Sequence, residues 1–301
     1  MYMASLQARI VKLILKATSN QQGYKVSRIN AHRKAFERNM SILFPSFPKN
    51  VMRSYVAGVP IVTINSSARS RSILYLHGGG FVLGSAKSHR QHLIRLAKMC
   101  NARVIAIEYG LSPEHAYPYA LEEIQKVWEE LVATKHINAK KTVLMGDSAG
   151  GGLALASVMR FRDAHRQQPS CVVLLSPALD ATFSGESYKQ KLAKDPILNM
   201  HKLEFFAQSY AQRHSRRTPF ISPVYADLKK LPPILIHAGT DDLLLSDSQT
   251  VAKNATCDGT DVSLFIGEGM WHGWHFFASY VPEARTAMRS IAQYVKSHTA
   301  T

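Results

Sequence analysis

Six compact apolar runs along residues 73–266 constrain the fold of this chain more than any other feature. Each run is short, rich in aliphatic or β-branched residues, and bounded by Gly, Pro, Asp or Ser. Helical patterns separate most of them. Strands that are apolar on both faces and alternate with helices are typical of a mostly parallel sheet with helices on both sides. The runs are Ile73–Leu76, Val104–Ile107, Val143–Met145, Val172–Leu175, Ile234–Ile236 and Val262–Ile266. The helical patterns lie near residues 88–99, 119–134, 149–166, 247–256 and 282–297.

The segments outside this alternation have a different character. Residues 4–18 and 29–43 read as two basic helices, and two β-like runs follow around Met52–Ala57 and Val59–Ile64. The interval from Leu179 to Leu231 has no clear strand and contains one helical stretch near residues 200–212. An insertion of this size after the carboxyl end of a strand usually covers a site.

Composition narrows the class of protein. With 301 residues, 46% hydrophobic and 19% charged, the chain has the profile of a soluble folded protein rather than a disordered one. No apolar run approaches the about 20 residues needed to span a bilayer, and lysines interrupt the apolar stretch at residues 10–16, so we expect neither membrane insertion nor a secretory signal. Three widely spaced cysteines suit a reducing compartment and predict a cytoplasmic location.

The sequence G-D-S-A-G at residues 146–150 follows a strand run directly and opens a helix of small residues. This strand–turn–helix context favours a nucleophilic serine at the tip of a sharp turn, with glycines on both sides to allow close packing. The alternative is a glycine-rich helix entry in which Ser148 has no chemical role. The pattern alone is weak evidence, but its position between strand and helix favours the nucleophile.

A second glycine-rich motif, H-G-G-G at residues 77–80, ends the run Ile73–Leu76. Consecutive glycines let backbone N–H groups approach a ligand closely, so they can point at a developing oxyanion. A phosphate-binding loop would require a terminal Lys-Ser or Lys-Thr, and F-V-L-G follows instead.

A nucleophilic serine needs a base and an acid further along the chain. His272 lies in a loop after the last strand run. This is the position of the base when the catalytic residues follow one another along the chain in the order Ser, Asp, His. Asp241 and Asp242 compete as the acid, with Asp247 as a third candidate, because adjacent residues of a loop point in different directions. His275 could suggest a metal pair, but no third ligand or H-E-x-x-H pattern accompanies it, so no metal is expected.

Together these motifs resemble the hormone-sensitive-lipase-like family of α/β-hydrolases, in its bacterial esterase branch. The resemblance covers about residues 55–300 and also rests on E-Y-G-L-S-P-E-H at 108–115 and M-W-H-G-W-H at 270–275. It implies an α/β-hydrolase fold with a mostly parallel eight-stranded sheet and a helical cap. On this basis we expect three parts of the chain: N-terminal cap helices in residues 1–53, a catalytic domain in residues 54–178 and 222–301, and a cap insertion in residues 179–221.

The resemblance also implies a serine carboxylesterase acting on short- to medium-chain acyl esters through an acyl-enzyme, without cofactor. Ser148 would be the nucleophile, His272 the base and Asp242, rather than Asp241, the acid. The oxyanion hole would be formed by backbone N–H groups of Gly78, Gly79, Gly80 and Ala149. Bulky candidates near the site are Phe81, Tyr119, Trp271 and Trp274, and the sequence alone does not show which of them line it. The alternative on the same fold is a non-catalytic small-molecule receptor, and the presence of His272 disfavours it.

The formal net charge of +16 first suggests a nucleic-acid partner, but no nucleic-acid-binding motif supports one. Residues 1–53 contain ten Lys or Arg and one acid, and residues 180–217 contain seven basic and four acidic residues. Most of the excess therefore lies in the two cap segments. The cap is therefore positively charged, and two interpretations stay open: a basic surface with no specific partner, or a cap that attracts anionic esters or an anionic membrane face. We also expect a homodimer through the last strand, Val262–Ile266, because it is a candidate sheet edge.

Overall fold

An eight-stranded sheet forms the centre of the computed structural model, which describes residues 4–18, 24–45, 51–65, 67–68, 70–190 and 194–300. In these ranges the strands run in the order β1-β2-β4-β3-β5-β6-β7-β8. The first two strands are antiparallel to their neighbours, and all the others are parallel. The strands are β1 Val51–Val56, β2 Val59–Ile64, β3 Ser72–Leu76, β4 Arg103–Ile107, β5 Thr142–Asp147, β6 Cys171–Leu175, β7 Ile234–Gly239 and β8 Val262–Gly267.

Helices cover both faces of this sheet, as the alternating pattern predicts. The helices are α1 Leu6–Thr18, α2 Ile29–Leu43, α3 Arg90–Cys100, α4 Tyr119–Ala133, α5 Ala149–Asp163, α6 Ser187–Gln190, α7 Met200–Ala211, α8 Leu245–Cys257 and α9 Pro282–His298. Because successive side chains of a strand point to opposite faces, Leu74 and Leu76 pack with α4, α5 and α8, whereas Ile73 and Tyr75 pack with α3 and α9. The predicted α/β-hydrolase fold is confirmed.

The carboxyl ends of the parallel strands meet at one edge of the sheet. The loops that carry residues 77–80, 148, 242 and 272 follow β3, β5, β7 and β8 in turn. Four separate stretches of sequence therefore converge at this edge, which is where ligand sites form in open α/β sheets.

The N-terminal segment contacts both the sheet loops and the 179–221 insertion. The Tyr24 ring lies 5.7 Å from the Phe205 ring and 5.4 Å from the Phe206 ring of α7. Arg33 of α2 forms a bidentate ion pair with Glu114 and donates to the carbonyl of Val82, just beyond the glycine run. No helix within the described ranges combines the length and apolar character needed to cross a bilayer.

Candidate active site

Ser148 occupies the tight turn between β5 and α5. Its backbone has φ 52° and ψ −122°, a strained conformation for a residue with a side chain. The turn requires glycine on both sides, because a Cβ at Gly146 would overlap the Gly150 carbonyl and a Cβ at Gly150 would overlap the Leu76 carbonyl. The G-D-S-A-G sequence thus holds the Ser148 side chain at the tip of the turn.

His272 and Asp242 complete a hydrogen-bonded line with this serine. His272 Nε2 lies 2.9 Å from Ser148 Oγ. On the other side of the ring, His272 Nδ1 lies 3.2 Å and 3.3 Å from the two carboxylate oxygens of Asp242. A serine, an imidazole and a carboxylate in this order can remove the hydroxyl proton and stabilise the resulting imidazolium.

The three candidate acids have separate environments. Asp242 is fully buried against His272. Its neighbour Asp241 points away and forms an ion pair with Lys12 of α1. Asp247 accepts hydrogen bonds from the Leu179 N–H and from the Tyr188 hydroxyl, so it anchors the insertion rather than the imidazole.

The pKa of His272 reflects opposing effects. Burial lowers it, but the Asp242 carboxylate raises it by charge and by hydrogen bonding, and the net pKa lies above the ordinary value. The imidazolium that forms during proton removal is therefore stabilised within the site.

A second buried carboxylate, Asp195, lies close to Asp242, and the sequence analysis did not identify it. Asp195 accepts the N–H groups of Ile197 and Leu198 through one oxygen and the N–H of Leu243 through the other. Burial and then the charge of Asp242 raise the pKa of Asp195. It joins the insertion to the loop that carries Asp242. The acidic residue beside a proline gave no signal of this contact in the sequence.

The oxyanion-hole prediction is wrong for Gly78. Its N–H donates to the Asp147 carboxylate at 3.0 Å and is therefore not available to a ligand. Within the described part of the chain, the N–H groups of Gly79, Gly80 and Ala149 make no hydrogen bond. These three remain the candidate oxyanion donors.

Asp147 is the centre of a buried polar network beneath this loop. Besides the Gly78 N–H, it accepts the Tyr75 hydroxyl at 2.8 Å and lies 3.4 Å from His89. Burial opposes its ionisation, but His89 and the hydrogen bonds outweigh that effect and lower the pKa of Asp147 to about 2. Burial lowers the pKa of His89, and the charge of Asp147 outweighs it and raises that pKa. Asp147 and His89 therefore each favour the charged form of the other.

A cavity of about 50 Å³ opens beside Ser148 and is walled mainly by apolar side chains of the insertion. On the scale where one water needs about 10–15 Å³, this space holds about four water-sized groups. Phe206 packs so closely on Gly80 that a Cβ there would overlap its ring. Phe81 forms a second wall by stacking on Tyr210, with ring centroids 3.9 Å apart.

Of the four bulky residues expected near the site, only Phe81 lines this cavity. Trp271 and Trp274 are fully buried in the core on the α3 and α9 face of the sheet. Tyr119 stacks on His115 and fills the space beside Gly110. These three therefore do not line the cavity, because the loop after β8 turns both tryptophans into the core and Tyr119 occupies the space that a side chain at residue 110 would fill.

The second histidine of the 270–275 motif lies in the protein interior. His275 is fully buried, and both of its ring nitrogens lack a partner in the described part of the chain. The described residues contain no group of three or more His, Cys, Asp or Glu placed to hold a metal ion.

Comparison with known proteins agrees with the fold described above. A family model described as alpha/beta hydrolase fold matches residues 73–276. The chain is 32% identical over 287 residues to an esterase from Acinetobacter venetianus, a match that covers 94% of each chain. It is 33% identical over 229 residues to an acetyl-hydrolase from Streptomyces hygroscopicus, with 76% of each chain covered.

Among solved structures, the crystal structure of a hormone-sensitive lipase from a metagenome library is similar over 99% of this chain and 100% of that one. The TM-score is 0.91 and the sequence identity 30%. The fold and the site define an α/β-hydrolase whose strand–turn–helix motif places a serine beside a histidine and a carboxylate. The chain belongs to the hormone-sensitive-lipase-like family of α/β-hydrolases, as the motifs predicted.

Proposed function

We propose that this serine carboxylesterase hydrolyses esters of short- to medium-chain acids with Ser148 as nucleophile, His272 as general base and acid, and Asp242 as the orienting acid. The observation that carries this proposal is the continuous line from Ser148 Oγ through the His272 ring to the Asp242 carboxylate. Ester hydrolysis itself is consistent with the names of the related esterase and acetyl-hydrolase.

In the mechanism, neutral His272 takes the Ser148 hydroxyl proton through Nε2 as Oγ attacks the ester carbonyl. The N–H groups of Gly79, Gly80 and Ala149 are placed to stabilise the oxyanion, and losing one such donor typically costs about 3–4 kcal/mol. The imidazolium then returns the proton to the leaving alcohol. Water attacks the acyl-enzyme with the same base, so the cycle closes without a cofactor.

The acyl preference follows from the small apolar cavity. Its small volume and apolar walls support a preference for short- to medium-chain acyl groups. We expect kcat/KM of the p-nitrophenyl ester series from acetyl to palmitoyl to peak in that range. A peak at palmitate would contradict the proposal.

Phe206 offers the direct test of the cavity wall. We expect Phe206→Ala to shift the preference toward longer chains by about tenfold in the ratio of kcat/KM values, since a single methylene is worth that much in an apolar pocket. Phe205→Ala is the matched control, because this neighbour on α7 lies against Tyr24 and outside the cavity. An unchanged preference in Phe206→Ala, or the same shift in Phe205→Ala, would show that the wall lies elsewhere.

We also propose that α1, α2 and residues 179–221 act together as a cap over the sheet domain, which begins with β1 at Val51 rather than at residue 54. Support comes from the ring contacts between Tyr24 and α7 and from the insertion residues that line the cavity. The three cysteines are free thiols, which supports the proposal of a cytoplasmic location. Fractionation of the native host cell checks that location, and recovery only outside the cytoplasm contradicts it.

The last strand supports a proposed homodimer. β8 forms an edge of the sheet and exposes Phe265 and Ile266, which are unusual residues for an unpaired edge. We expect sedimentation equilibrium to give a dimer, and Phe265→Lys to convert it to a monomer with native circular dichroism. A monomeric wild-type protein would contradict this proposal.

A further inference from the structure

Helix α1 packs on the protein through one narrow face. Ala8 is fully buried on that face. Ser5 donates two hydrogen bonds to the Glu283 carboxylate of α9, one from its backbone N–H and one from its hydroxyl. Lys12 is held by its ion pair with Asp241. These contacts fix the rotation of the helix about its axis, so its opposite face points outward.

That outward face is aliphatic, although it lies in solvent. Leu6, Ile10, Leu13 and Ile14 are 66%, 48%, 67% and 55% exposed. Their spacing of four, three and one residues places them on a single stripe, because a helix turns about once in 3.6 residues. Large aliphatic side chains scattered singly on a surface need no explanation, whereas a continuous stripe marks an interaction site.

The charged residues of helix α1 are all basic. Exposed Arg9 and Lys16 lie along one edge of the stripe, whereas Lys12 is turned toward the protein, where it pairs with Asp241. Residues 1–53 as a whole contain ten basic residues and one acid, Glu37. The occupant that complements an aliphatic stripe bordered by cations is a surface with an apolar interior and anionic groups at its boundary.

We propose that the outer face of α1 is a docking site for an anionic lipid surface. The helix lies in the plane of the surface, its four aliphatic side chains enter the boundary between headgroups and acyl chains, and Arg9 pairs with lipid phosphates. This binding is peripheral and involves no spanning segment. The anionic cytoplasmic leaflet has the matching charge.

The docked helix also contacts the loops of the active site. Lys12 holds Asp241, the neighbour of Asp242, and Ala4 lies against Gly269 in the loop that leads to His272. Lipid docking at α1 therefore occurs on the same segment that contacts two catalytic loops. The proposal concerns binding, so it stands or falls separately from the esterase mechanism.

Flotation with lipid vesicles tests the docking. We expect the protein to float with vesicles of phosphatidylcholine and phosphatidylglycerol in equal parts, but not with phosphatidylcholine alone. Binding should weaken when added salt shortens the Debye length from about 10 Å to about 3 Å. Leu6→Gln/Leu13→Gln should reduce the bound fraction by about tenfold. Arg9→Gln should weaken binding to the anionic vesicles alone.

The matched control is Met52→Gln/Tyr55→Gln, which removes two exposed apolar side chains from β1. It should float like the wild type. Thermal unfolding and turnover of a soluble p-nitrophenyl ester should be unchanged in all variants, because every substituted side chain is exposed. Equal binding by the Leu6→Gln/Leu13→Gln variant, or no binding to anionic vesicles by the wild type, would overturn the proposal. A wild-type dimer that this variant dissociates, without vesicle binding, would assign the stripe to a second copy instead.

Discussion

Replacing Ser148 with alanine should reduce kcat for p-nitrophenyl esters by at least about 10⁵-fold, because no other group at the site can form the acyl-enzyme. The Ser148 hydroxyl is the one hydrogen-bonded to His272 Nε2. A fluorophosphonate probe should add once to the wild-type protein and not at all to the variant, as measured by intact-mass spectrometry.

Ser157→Ala is the matched control for this experiment. Ser157 lies on the same helix, α5, but it is fully buried and its hydroxyl has no hydrogen-bond partner in the described part of the chain. Its removal should leave both turnover and labelling at the wild-type level. Substantial turnover or probe labelling in Ser148→Ala, with native circular dichroism, would refute the assignment of the nucleophile.

The second large effect is expected from Asp242→Asn, with a fall in kcat of about 10⁴-fold. An amide at this position favours the wrong tautomer of the His272 imidazole and cannot stabilise the imidazolium. Asp241→Asn is the control, since Asp241 pairs with Lys12 and does not contact the ring. Activity within a few-fold of wild type is expected there. Loss of activity in Asp241→Asn with retention in Asp242→Asn would reverse the assignment.

The Asp242→Asn and Asp241→Asn variants should also differ in the pH dependence of kcat/KM. The base must be neutral, so kcat/KM falls as the pH drops through the pKa of His272. Burial lowers that pKa, but the Asp242 carboxylate outweighs burial and raises it. The fall of kcat/KM at low pH should therefore have its midpoint above the ordinary histidine pKa of about 6.5. In Asp242→Asn the raising effect is lost, and this midpoint should move to lower pH. In Asp241→Asn it should stay where it is in the wild type.

Much of the fold could be predicted from the sequence because its signals are local. The apolar runs, their glycine and proline boundaries and the helical periodicity between them each depend on a few neighbouring residues. The strand and helix bounds accordingly agree with the patterns to within a few residues. The G-D-S-A-G motif was equally informative, because close packing on both sides of Ser148 excludes any side chain at residues 146 and 150.

The sequence was less informative where contacts between distant parts of the chain determine the position and hydrogen bonding of a residue. Three successive glycines look equivalent in the sequence, but the N–H of Gly78 donates to Asp147, whereas those of the next two make no hydrogen bond to any described residue. Trp271 and His272 are adjacent, and the backbone turns one into the core and the other toward Ser148. Asp195 contacts the acid loop across 48 positions of sequence, a distance over which no local pattern extends.

The hydrogen bond from Gly78 to Asp147 has a mechanical consequence. Asp147 precedes Ser148 directly in the chain, and Gly78 precedes two glycines whose N–H groups make no hydrogen bond within the described ranges. One carboxylate thus connects the strand end that carries the proposed nucleophile with the loop that carries two proposed oxyanion donors. In the proposed mechanism, displacing this connection disturbs attack and charge stabilisation at once, so we expect the contributions of the two loops to be coupled rather than additive.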